Sequence, residues 1–187
     1  QVAHGASPNQ KEITLAKYGS RDNWAVAATE RMFELGFNSA GGWSDLEYLS
    51  KVDNPISQTT IFNTATRYGS SIGVKVNSGG SLLEEADIIP VFDPDFATFA
   101  DNQIKGIVSA YANDPEVYGW MSDNELCQNL KSLDHSLMLD PEDSRRHYSY
   151  ATAWTFMYLK TGKANVSLAD VTDELRLEFL AMTYDKY

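Results

Sequence analysis

Apolar side chains recur at helical spacing after Ser20, at Trp24, Ala28, Met32 and Leu35, and Gly36 stands where a glycine commonly ends a helix. Residues 37–40 then form a short run suited to a buried strand, which opens into the loop Gly41-Gly42-Trp43-Ser44-Asp45. After an irregular polar segment, the pattern predicts a short helix over residues 61–68, stopped by Gly69, and a strand over residues 72–76 leading into the loop Asn77-Ser78-Gly79-Gly80. Asp93-Pro94 offers a cap followed by proline at the first helical position, and Phe96, Ala100, Ile104, Ile107 and Tyr111 mark the buried stripe of a long helix. Asn113-Asp114-Pro115 breaks that helix, and residues 117–122 read as a third strand. Asp140-Pro141-Glu142 predicts the start of another helix, with Tyr150, Trp154, Met157 and Tyr158 mostly facing the core. A last helix begins near residues 167–170, with Val171, Leu175, Phe179 and Met182 on one side.

Strands alternating with helices imply an α/β fold with a parallel sheet, closed as a barrel or left open and doubly wound. A closed barrel needs eight strands and about 250 residues. Three strands in 187 residues therefore predict a single incomplete unit over residues 1–187, about half of a (β/α)₈ TIM barrel. No linker, low-complexity tract or fixed-period repeat divides it.

Composition narrows the function. With 43% hydrophobic and 12% aromatic residues the chain can bury a core, and no apolar run reaches the roughly 18 residues of a membrane helix. The expectation is a soluble, processed or trimmed chain with no membrane partner. A net charge of −11 argues against nucleic acid, whose phosphates would be repelled over most of the surface. The acidic groups are scattered as on a solvated face. Cys127, the lone cysteine, forms no disulfide within the chain and leaves the redox compartment open. Asn165-Val166-Ser167 is a glycosylation acceptor pattern, relevant only on a secretory route.

Chemistry in a parallel barrel gathers at the C-terminal ends of strands. Here these are residues 38–45, 76–80 and 123–125, of which the first and third are rich in polar groups. The polar run Ser122-Asp123-Asn124-Glu125 closes an apolar strand, where burial is costly without a ligand, partner or water. A carboxylic acid so placed can have its pKa raised and protonate a leaving oxygen. Strand alternation puts Met121, Asp123 and Glu125 on one face, and Trp120 on the face that packs under helices.

The pair Asn124-Glu125 at the end of a Gly119-Trp120 strand resembles the fourth-strand signature of the retaining (β/α)₈ glycoside hydrolase clan. The likeness extends to Lys17-Tyr18-Gly19, Gly36-Phe37-Asn38-Ser39, Trp43-Ser44-Asp45, Val91-Phe92-Asp93-Pro94 and Asp123-Asn124-Glu125-Leu126, which together look like the β-agarase group. It covers most of residues 17–130. The resemblance implies retaining hydrolysis of a galactose-containing polysaccharide such as agarose, endo or exo, without cofactor or metal. It makes Glu125 the general acid/base and Asn124 a hydrogen-bond partner of the sugar hydroxyl beside the scissile bond. It also assigns Asn38 and Trp43 to the sugar-binding cleft. The clan's nucleophile, a Glu on the seventh strand, is expected outside this chain, in the remainder of a longer chain or in another chain. Cys127 and Gln128 stand where the family offers an aromatic wall.

Plainer readings stand beside these. Glu125 can pair with Arg145 or Arg146, Asn38 can brace neighbouring loops, and Asp93 is a helix cap rather than half of an acidic pair with Asp95. His4, His135 and His147 lack zinc spacing, and there is no Walker loop, G-x-G-x-x-G or G-x-S-x-G. The expected protein is an extracellular or periplasmic glycosidase acting on a polysaccharide or oligosaccharide. The alternatives are a non-catalytic polysaccharide-binding or structural protein derived from a degenerate barrel, and an open α/β binding domain.

Overall fold

The computed structural model describes residues 8–74, 88–124, 126, 129–145 and 147–187. The chain folds as two compact units, Gln1–Phe62 with Ile107–Ser122, and Asn63–Gly106 with Asp123–Tyr187. The architecture is α/β, combining helices with three parallel strands among the described residues.

The first unit contains helices α1 (Pro8–Tyr18), α2 (Arg21–Glu34) and α3 (Leu46–Leu49), and strands β1 (Ser39–Ala40), β2 (Ser57–Ile61) and β3 (Val117–Met121). The Ser20 hydroxyl caps α2 by accepting from the Asn23 amide at 3.1 Å, and Gly36, at φ 84°, ends it. That left-handed turn lets Phe37 N–H reach Met32 O and Gly36 N–H reach Phe33 O, both at 2.9 Å, which satisfies carbonyls the helix leaves open. The core gathers Trp24, Ala25, Ala40, Leu49 and Ile56, while Leu35 lies exposed beyond the buried stripe.

All three strands are parallel in the order β1-β2-β3, with Thr60 opposite Trp120 and Ile61 opposite Met121. The predicted irregular segment before residue 61 is thus the central strand. Its buried positions are Gln58 and Thr60, so alternation exists but is written in polar residues that an apolar pattern cannot reveal. Trp120 stacks on Phe62 with ring centroids 5.3 Å apart and lies 6.4 Å from Tyr111, a packing contact on its face of the sheet. Gly119 gives Thr59 its space, since a Cβ there would sit 3.0 Å from the Thr59 methyl.

The second unit contains α4 (Thr64–Ser71), most of α5 (Pro94–Tyr111), α6 (Ser132–Leu137), α7 (His147–Thr161) and α8 (Asp173–Lys186). Gly69 does not stop α4 but is buried within it, and Gly73, at φ 72°, does. Val74 N–H donates to Gly69 O at 2.7 Å and Gly73 N–H to Ser70 O at 3.2 Å, so residues 72–74 terminate a helix instead of forming the predicted strand. The rest of that expected strand and the 77–80 loop lie outside the described residues. Asp93 caps α5 by accepting from the Asp95 amide at 3.0 Å.

The helix expected from Asp140 begins only at His147. Asp140 and Asp143 turn their carboxylates back onto the amides of Glu142 and Arg145, at 2.9 and 3.0 Å, and so form successive turns. In α7 the buried residues are Ser149, Ala153 and Met157, whereas Tyr158 is exposed and stacks on Trp154. One core joins Leu133, Ala153, Met157 and Phe179 from α6, α7 and α8, with Val171, Leu175 and Met182 against it. A second joins Ala65, Tyr68, Val74, Ile89, Val91 and Phe96, with Leu126 and Tyr187 against it.

Candidate functional site

The loop leaving β1 is built tightly. Ser44 N–H returns to Gly41 O at 2.9 Å, and Asp45, at its end, pairs with Arg21, whose guanidinium lies 4.0 Å from the Tyr48 ring centroid. Gly42 keeps this loop close to the sheet, because a Cβ there would meet Met121 Sδ at 3.0 Å and Ile61 Cβ at 3.5 Å. The loop therefore runs beside the C-terminal ends of β2 and β3. Trp43 remains 46% exposed on it, which leaves indole surface available to a ligand. Asn38 is exposed just before β1.

At the other strand end, Phe62 N–H extends the ladder to Met121 O at 2.8 Å. Within the second unit, the Asp123 carboxylate accepts from the amides of Ala65 at 3.0 Å and Thr66 at 3.4 Å, and from the Tyr187 hydroxyl. Ala65 and Thr66 hold the second and third positions of α4, the amides that a local cap normally satisfies. Asn63, at the cap position, has φ 53° and makes no such side-chain bond. Asp123 caps α4 from 58 residues away in sequence. The sequence shows Asp123 only as one acid of a polar run. Its capping role leaves no local signal, because asparagine is a good capping residue and only the left-handed backbone of Asn63 takes it out of use.

Asn124 is half-buried in the second unit. Glu125, Cys127, Gln128 and Arg146 lie outside the described residues. The expected shared exit loop therefore separates: Asn38 stands at the entry of β1 and Trp43 on the loop after it, both in the first unit, whereas Asn124 belongs to the second. Arg145, one expected partner for Glu125, makes two bonds of 2.8 Å to Asp143 and one of 3.0 Å to Gly73 O.

Beside α4 and α5, burial and the Asp93 carboxylate push the Tyr68 phenol well above the usual tyrosine range. That hydroxyl stays protonated and donates to the cap of α5. Among the described residues, no three His, Cys, Asp or Glu side chains come together as metal ligands.

No sequence-family profile matches the chain, and no curated protein matches it. A solved structure does: the chain is similar to the crystal structure of BpGH50, with a TM-score of 0.68 and 24% identity over 94% of this chain. The match spans 39% of the length of that chain. At this identity the likeness establishes a shared fold.

Proposed function

We propose that residues 1–187 are part of a (β/α)₈-type glycoside hydrolase domain, about half of the barrel, that cleaves a galactose-containing, agarose-like polysaccharide with retention of configuration. Glu125 is the general acid/base. Asn124 holds the sugar hydroxyl next to the scissile bond, and Asn38 and Trp43 bind neighbouring sugar units. The nucleophile is a second carboxylate outside this chain, because retaining cleavage needs two carboxyl groups about 5–5.5 Å apart. A polymer substrate fits an extracellular or periplasmic protein, and no cofactor takes part.

The observation that carries this reading is the joint one of fold and strand end. The fold is that of BpGH50, whose name marks that protein as a glycoside hydrolase of family 50, and β3 is followed directly by Ser122-Asp123-Asn124-Glu125. Trp43 beside the strand ends adds an exposed aromatic surface suited to the apolar face of a pyranose.

The test is Glu125→Gln in the full-length protein. Turnover of agaro-oligosaccharides is expected to fall by at least about 10³-fold with binding retained, since the amide keeps the shape but cannot deliver a proton. Parent-like turnover in this variant rejects the acid/base role. A full-length parent that binds oligosaccharide without cleaving it points instead to the non-catalytic binding protein.

A further inference from the structure

Helices α6, α7 and α8 enclose more than apolar side chains. Ser136 of α6, Ser149 of α7 and Thr183 of α8 are all buried, and with Ser132 they line one cavity within the second unit, beside Ile89, Phe92 and Phe179. It offers about 10 Å³ to the centre of a water molecule, the room that a single water needs.

The hydroxyls differ in what they can still bond. Ser136 Oγ donates to Ser132 O at 2.7 Å and Thr183 Oγ1 donates to Phe179 O at 2.9 Å. Each therefore has its proton engaged on its own helix and turns only lone pairs to the cavity. Ser132 is engaged both ways with Asn129, donating to its carbonyl at 2.7 Å and accepting from its amide at 3.2 Å. Ser149, only 3% exposed, bonds none of the described residues and keeps its proton. Two acceptors and one donor are left over, and a buried hydroxyl without a partner is costly.

We propose that this cavity binds a single internal water, which donates to Ser136 and Thr183 and accepts from Ser149. The two hydrogens and the lone pairs of a water match that set of groups. An ion does not, since no charged side chain lines the cavity. The water links α7 to α6 and α8 through hydroxyls that do not bond one another. The proposal is independent of the reading of Glu125.

The test has a direct arm and an energetic one, both on the full-length protein. A crystal structure is expected to show one ordered water within about 3.2 Å of Oγ of Ser136, Oγ of Ser149 and Oγ1 of Thr183. A dry cavity, or one holding a side chain or anything other than water, overturns the proposal. Urea midpoints are then compared for the parent, Ser149→Ala, Thr183→Val and the double variant. Helix propensity and the lost Thr183 bond to Phe179 O enter the single and double variants alike and cancel in this cycle. Removing either hydroxyl weakens the shared water, so Ser149→Ala is expected to be more destabilising in the parent than in the Thr183→Val background, by about 0.2–0.5 M urea. Equal shifts in the two backgrounds overturn the proposal. Should Thr183→Val not fold, Ser136→Ala takes its place in the cycle and is read in the same way.

Discussion

Arg176 grips Asp134 with two parallel hydrogen bonds, Nε to Oδ2 at 2.8 Å and Nη2 to Oδ1 at 2.7 Å, and so ties α8 to α6. Its third nitrogen donates to Asp173 at 2.8 Å, which holds the fork at the start of α8. The Arg176 hydrogen bonds keep the Asp134 carboxyl below the ordinary aspartate range. Asp170 is also lowered, first by Lys163 and then by Ser167.

A folded-state pKa below the unfolded value means that the unfolded chain takes up its proton first as pH falls. The stabilisation is therefore fully present above about pH 4, the unfolded aspartate value, and is lost as pH drops through the folded value. Asp134→Asn is expected to be less stable than the parent at pH 6, with the difference shrinking toward pH 2.5. Urea midpoints at a series of pH values check this. A difference that stays constant with pH would contradict it.

Gly36 and Gly73 end helices in the same left-handed conformation, but their surroundings differ. Among the described residues a Cβ on Gly36 meets nothing within 4 Å, whereas one on Gly73 lies 3.3 Å from Arg145 Nη1. Gly36→Ala is expected to cost about 1 kcal/mol from backbone strain alone. Gly73→Ala should cost about 1 kcal/mol more, because the guanidinium that bonds Gly73 O must shift. Chemical denaturation of the two variants reads the difference directly.

Gln58 is fully buried in β2, and among the described residues neither its amide nitrogen nor its oxygen has a hydrogen-bond partner. Desolvated amide groups without partners destabilise a fold, so Gln58→Met, similar in volume, is expected to raise stability by about 1 kcal/mol. A lower melting temperature for the variant would show that the amide is satisfied in solution.

Trp43 takes no part in the buried core, so replacing it separates binding from folding. Trp43→Ala is expected to weaken oligosaccharide binding by about 1–2 kcal/mol, roughly 5- to 30-fold, and to move the melting temperature little. Calorimetric titration and a melting curve on one sample decide it.

The helices announced themselves where two local signals agreed. Ser20 and Gly36 bracket a regular apolar spacing in α2, and Asp93-Pro94 opens the Phe96 stripe of α5. The last helix starts later than the expected residues 167–170: the capping box of Ser167 and Asp170 closes only a 3-10 turn over Leu168–Asp170, and α8 begins at Asp173 behind the cap Thr172. β2 gave no such signal, since Gln58 and Thr60 fill its inward positions. The start of α7 misled because Asp140-Pro141 is equally good chemistry for a turn, and choosing between turn and helix depends on what the following residues pack against.

The same division runs through the candidate site. Adjacent residues fix the polar run Ser122-Asp123-Asn124-Glu125 behind an apolar strand, and the Gly-rich loop that presents Trp43, because strand parity and turn propensity act over a few bonds. Which donors hold Asp123 is decided only by folding. Ala65, Thr66 and Tyr187 lie 57 to 64 residues away, and hydrogen bonds over such separations form only once packing brings the groups within about 3 Å. One-dimensional spacing carries no record of them.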